Sequence, residues 1–239
     1  MKKNNTSYLA YPYVIWSALF IVVPLLLILF FGFTKLEGDK FIFTLENFQR
    51  LFSEASYIKV FSRSIYLAFI STIFCLLLGY PVAYIISKMD IKKRGTIILL
   101  FILPMWMNFL LRTYAWVAIL GKNGIINSFL ASIGLDKIEI LYTDIAVLLG
   151  MVYNFLPFMV LPIYTVLSKM DQNLINAASD LGANKFQIFT KIIFPLSLPG
   201  VASGITMVFM PAVSTFIISK LLGGGQFMLL GNLIEQQFM

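Results

Sequence analysis

The sequence has no histidine and a single cysteine, Cys75. The first absence removes the commonest general base and the commonest metal ligand, and the second excludes an internal disulfide. Charge is scarce as well: Asp, Glu, Lys and Arg make up 12% of the residues, about half the share of an ordinary soluble domain. A phosphate-binding loop is also missing. Gly223, Gly224 and Gly225 are not followed by Lys and Ser or Thr, and the stretch 121–124 lacks the hydroxyl that would ligate magnesium. These gaps leave little for a metal-dependent or histidine-dependent enzyme, and no cofactor is expected.

What the chain has instead is apolar surface, 59% of 239 residues. One ordinary core cannot bury that much, so lipid must be the solvent for a large part of it. Five runs, 13–34, 65–87, 96–120, 141–167 and 196–219, reach the roughly 20 residues that cross a hydrocarbon layer about 30 Å thick. Pro81, Pro104, Pro157, Pro162, Pro199 and Pro211 fall inside these runs. Membrane helices tolerate interior proline because neighbours satisfy the freed carbonyls, so these residues read first as packing kinks. Lys2 and Lys3 precede the first run, which is too long for a cleaved export signal and reads as a retained span.

The net charge of +7 would suggest nucleic acid in a soluble protein, but here the basic residues sit between apolar runs. That distribution fits topology signals and anionic lipid headgroups, with no nucleic-acid partner. Lys88, Lys92, Lys93 and Arg94 face one acid, Asp90, in the connection between the second and third runs. Lys169, Lys185 and Lys191 lie between the fourth and fifth runs, with Asp171 and Asp180. Placing the N-terminus in the cytoplasm puts both basic connections there as well. Residues 35–63, 121–140 and the C-terminal segment then lie outside, the last too short to cross.

The connection over 171–195 is long and patterned. Asp171 is placed to cap a helix whose apolar positions are Leu174, Ala178 and Leu181, and Gly182 is placed to end it in a left-handed conformation. Asn184 and Gln187 form a capping-box pair for a second short helix over 185–193, leading to Pro195. The small Ala177 and Ala178 permit close approach of another surface. The same pair of helices would also suit an amphipathic segment resting on lipid.

Here the sequence resembles the permease subunits of ABC importers. Their cytoplasmic EAA loop reads Glu-Ala-Ala, three residues, Gly, nine residues, Ile-x-Leu-Pro. This chain has Asn176-Ala177-Ala178, three residues, Gly182, nine residues, then Ile192-Ile193-Phe194-Pro195. The spacing is intact; Asn176 stands for the acid and Phe194 for Leu. Similarity to the spermidine/putrescine branch extends over the stretches 103–114, 150–162, 221–225 and 231–238. The resemblance implies an all-α membrane protein, a type I importer bundle forming one permease domain over 1–239. Five of an expected six spans are present, Met239 falling where the last would begin. It implies a loop over 171–194 that couples to an ATP-binding subunit dimer, through Asn176, Ala177, Ala178, Asp180, Leu181, Gly182, Lys185 and Phe186. It also implies a second homologous permease, an external substrate-binding protein, a bacterial inner-membrane location and no ATPase site in this chain.

Charged residues at membrane depth are functional suspects. Arg112 falls in the outer half of the third run and Asp144 near the outer end of the fourth, with Trp116, Tyr153 and Asn154 as aromatic or polar companions for an amine cargo. Both charges are also within reach of the interface by snorkelling. A secondary transporter is the rival class, but none of the runs carries a mid-depth Asp or Glu for ion coupling. A membrane enzyme lacks clustered carboxylates, and an ABC permease for sulfate or ferric iron shares the same loop.

Overall fold

The computed structural model describes residues 11–38, 40–225 and 228–238. The chain divides into two compact units, Met1–Lys59 and Val60–Met239.

In the first unit, α1 (Tyr11–Gly32) is long and apolar enough to cross a membrane. It widens into a π turn over Ala18–Val22, just before Pro24, whose ring nitrogen has no hydrogen to give the preceding turn. An antiparallel hairpin follows, β1 (Thr34–Glu37) and β2 (Lys40–Phe43), with Thr34 opposite Phe43. Then comes α2 (Glu46–Ser53). Lys35 Nζ lies 2.8 Å from Glu46 Oε2, and that hydrogen bond raises the Lys35 pKa above its usual value. Asn47 Nδ2 donates to the carbonyls of Phe31 and Gly32, both at 3.2 Å, and so finishes the open end of α1.

The second unit is a helical bundle. It contains most of α3 (Ala55–Lys88), then α4 (Ile91–Trp106), α5 (Phe109–Leu120), α6 (Ile125–Ser132) and α7 (Asp144–Ser168). After these come α8 (Gln172–Asp180), α9 (Lys185–Ser214), α10 (Ile217–Leu222) and α11 (Leu230–Phe238). The centre is the packing of α9 on α7. Gly200 and Gly204, four residues apart, let the two backbones approach. A Cβ at Gly200 would lie 2.9 Å from the Pro162 carbonyl oxygen, and one at Gly204 2.8 Å from Met159 Sδ. Hydroxyls inside the bundle bond the preceding turn of their own helix, as Thr72 does to the Ala68 carbonyl at 2.7 Å and Thr113 to Phe109 at 2.9 Å. No lipid-facing donor is left open by them.

Among the described residues four helices are long and apolar enough to cross a membrane, and five if one bent pair counts as a span. That pair corrects the straight third span over 96–120: Ile91–Trp106 and Phe109–Ser132 meet at 91°. The cause is local. Asn108 caps α5, its Oδ1 accepting from the Leu110 amide at 2.8 Å, and Met107 and Asn108 are extended. The fifth span differs as well. The second loop helix is fused to it through a π turn over Phe189–Ile193, where Phe194 N–H reaches the Phe189 carbonyl. The fused helix stops at Ser214, before 219, because Thr215 is extended.

Polar clamps close the end of the bundle opposite α8. The Asn127 side chain donates to the Gly121 and Ile138 carbonyls and accepts from the Ile138 amide at 2.8 Å. Asn232 Oδ1 accepts from Ser219 Oγ and from the Leu229 amide, and the Leu230 amide donates to Ser64 Oγ at 2.7 Å.

Candidate functional site

The loop between α7 and α9 is built by local hydrogen bonds. Asp171 Oδ1 accepts from the Asn173 amide at 2.9 Å and starts α8. The helix ends in a Schellman turn: the Ala183 amide reaches the Ala178 carbonyl at 3.0 Å and the Gly182 amide reaches Ser179 at 2.9 Å. Gly182 sits at φ +82°, where a side-chain-bearing residue is strained. Asn184 and Gln187 then exchange hydrogen bonds of 2.9 Å in both directions, the expected capping box.

The faces of α8 differ from the expected stripe. Ile175 and Ala178 turn towards the bundle with Ala183 and the buried Ile188, whereas Leu174 and Leu181 are exposed. Leu181 is 89% exposed and Phe186 75%, a large uncovered apolar area beside the exposed Asn176, Ala177, Asp180, Gly182 and Lys185. Ala178 is half-buried, so among the coupling candidates it supports the loop from beneath.

The loop stands on a firm base. Ile175, Gln172, Met170 and Leu167 line a crevice with Tyr84, Ser87 and Lys88 of α3 and Ile193 of α9. The Phe189 ring meets Tyr80 edge-on at 5.9 Å and Tyr84 at 5.7 Å, and Phe194 packs against Tyr80 at 5.8 Å. Tyr80 Oη and Ser197 Oγ share a hydrogen bond of 2.9 Å. Arg94 donates to the Ser87 and Met89 carbonyls at 2.7 and 3.0 Å, finishing α3. Both basic connections therefore lie at one end of the bundle.

A second feature lies deeper. A recess of about 190 Å³ is lined by Leu100, Phe101 and Pro104 of α4, Arg112 of α5, and Tyr153, Leu156 and Pro157 of α7. Arg112 is 9% exposed, and its Nε is buried without a hydrogen-bond partner. Its guanidinium stands 5.8 Å from the centre of the Phe109 ring. Tyr153 also meets Trp116 edge-on at 5.3 Å. Three of the five candidate path residues, Arg112, Trp116 and Tyr153, are thus neighbours. Asn154 is buried in the core, its Nδ2 donating to the Gly150 carbonyl at 2.8 Å. Asp144 stands at the start of α7, paired with Arg63 at 2.5 Å. Among the described residues no group of three His, Cys, Asp or Glu side chains could hold a metal.

Residues 69–239 match the family described as binding-protein-dependent transport system inner membrane component. The chain belongs to that family. The permease is 42% identical, over 229 residues, to the spermidine/putrescine transport system permease protein PotB of Haemophilus influenzae, covering 94% of the chain and 80% of that protein. It is 40% identical over 229 residues to the PotB of Escherichia coli K12, covering 83% of it. Its fold is that of a subunit in the crystal structure of a bacterial alginate ABC transporter bound to a pentasaccharide-loaded periplasmic protein. The TM-score is 0.77 at 18% identity, over 96% of the permease and 81% of that chain. The permease is a multi-pass inner-membrane protein, as its apolar helices require. Sequence reading did not single out Tyr80, Phe189, Asn108 or Asn127. For the two asparagines a signal existed, an amide inside an otherwise apolar run.

Proposed function

We propose that this permease is one membrane half of an ATP-driven importer for polyamines such as spermidine and putrescine. The observation that carries the reading is the 42% identity to a spermidine/putrescine permease along 94% of the chain. The other half is a second, homologous permease, and an external binding protein delivers the cargo. The basic connections and the N-terminus lie in the cytoplasm, the side that an excess of Lys and Arg favours.

In this reading the loop after α7 docks on an ATP-binding dimer. Leu181 and Phe186 are the apolar anchors, and Ala177 and Gly182 allow the close approach. Asn176, Asp180 and Lys185 form the polar border, and Ala178 holds the helix on its base. Asn176 offers an amide where the family pattern has an acid, so the nearby carboxylate is that of Asp180. Closure of the dimer pushes the loop, and the rings of Phe189, Tyr80 and Tyr84 pass the push to α3 and α9. Arg112, Trp116 and Tyr153 border the route, and the chain supplies no catalytic group.

The test is uptake of labelled spermidine by cells that depend on this chain, its ATPase, its partner permease and its binding protein. Excess putrescine should compete and excess sulfate or ferric iron should not. Uptake blocked by sulfate or iron, or a chain that purifies without any ATP-binding subunit, would refute the assignment.

A further inference from the structure

The recess holding Arg112 lies against the middle of α7, a helix long and apolar enough to cross a membrane. Tyr153 is nine residues from the start of α7 at Asp144, and Pro157 eleven from its end at Ser168, roughly 14 and 17 Å along the helix. Snorkelling over that distance is out of reach. A guanidinium cannot shed its proton, and lipid cannot solvate it at this depth. Among the described residues no carboxylate pairs with it. A recess that keeps such a charge needs water, which the interior of an assembled transporter supplies and lipid does not.

Its walls add a second observation. Pro104 and Pro157 both line the recess, and neither has an N–H for the carbonyl one turn earlier. Those carbonyls belong to Leu100 and Tyr153, which line the same recess. The two residues whose carbonyls proline releases thus line the same recess as a permanent cation. Free carbonyls attract cations, though a pair of them cannot replace a whole hydration shell.

We propose that Arg112 determines the specificity of the path by acting as its barrier to small inorganic cations. Through recess water its N–H groups engage the released carbonyls of Leu100 and Tyr153, and its charge repels an ion that has only a hydration shell to give up. A polyamine differs in shape: its ammonium groups are separated by methylene segments. The methylenes pass the apolar wall of Leu100, Phe101 and Leu156 while the ammonium groups stand on either side of the fixed charge. The Trp116 and Tyr153 rings offer them cation–π surface on the way. This extends the importer reading above and rests on it.

The test uses the complete importer, with both permeases, the ATPase and the binding protein, in liposomes loaded with radioactive rubidium. Arg112→Gln should raise ATP-independent rubidium release by about tenfold or more, because a unit charge is removed from a poorly screened site. Arg112→Lys should stay near the unmodified chain. Unchanged release from an assembled Arg112→Gln transporter overturns the proposal. A second measurement keeps Arg112 in place and does not depend on that variant assembling. Leu156→Cys, in a Cys75→Ala background, should react faster with an anionic methanethiosulfonate than with a cationic one, relative to a free thiol. Absence of reaction, or a preference for the cationic reagent, overturns it too. Failure of the unmodified importer to take up spermidine would sink the cargo reading and leave the leak and thiol results standing as measured.

Discussion

Gly182 offers a way to separate two reasons for a glycine in the proposed docking loop. Its φ of +82° closes the Schellman turn, yet a Cβ built there would meet nothing within 4 Å. In the chain itself a side chain therefore costs conformation and no collision. For alanine that cost is about 1–2 kcal/mol, and asparagine escapes part of it because it tolerates left-handed backbone. Valine, stiff at its branched Cβ, should suffer most. Since about 1.4 kcal/mol is tenfold in an equilibrium, Gly182→Ala should weaken ATPase binding by about five- to thirtyfold. The order of affinity should be Gly, Asn, Ala, Val. The assay is titration of the ATP-binding subunit onto immobilised, detergent-solubilised variants. An Asn variant weaker than the Ala variant would refute the reasoning, since side-chain size and not handedness would then decide. Equal binding by Gly and Ala would refute it as well.

Three further outcomes follow from packing. Leu181→Asp and Phe186→Asp should leave the thermal midpoint of the permease unchanged and reduce co-purification of the ATPase at least about tenfold, because both side chains are exposed and serve as apolar anchors in the docking proposed above. Gly200→Leu should lower the thermal midpoint, since the new Cβ meets the Pro162 backbone; overpacking of this kind costs about 1–3 kcal/mol. Asn108→Ala should remove the cap of α5 and cost about 1 kcal/mol, read as a lower thermal midpoint of the detergent-solubilised permease.

Where chemistry is local, the sequence was a good guide. Asp171, Gly182 and the Asn184–Gln187 pair each specify their turn with groups a few residues away, and the structure has all three features. The bend at Asn108 was hidden because apolar residues continue on both sides of it, and hydropathy is blind to direction. The surroundings of Arg112 were hidden for the same reason: the 91° turn sets it beside Tyr153 and Pro157 of α7. The faces of α8 were illegible for a different reason. Leu174 and Ile175 are equally apolar, and only the position of α3 decides which of them points at the bundle. Apolar spacing alone cannot separate a surface buried now from one reserved for a partner.

The fused helix α9 has a mechanical meaning. It runs 30 residues from Lys185 to Ser214, about 45 Å, and it is pinned against α7 by Gly200 and Gly204, close to its midpoint. A rod held near its middle behaves as a see-saw, and the π turn over Phe189–Ile193 and Pro199 within the helix set how much of a nudge beside Phe186 comes out reversed near Ser214. In the importer proposed above, such a beam on a glycine fulcrum would shut one mouth of the path in the same stroke that opens the other.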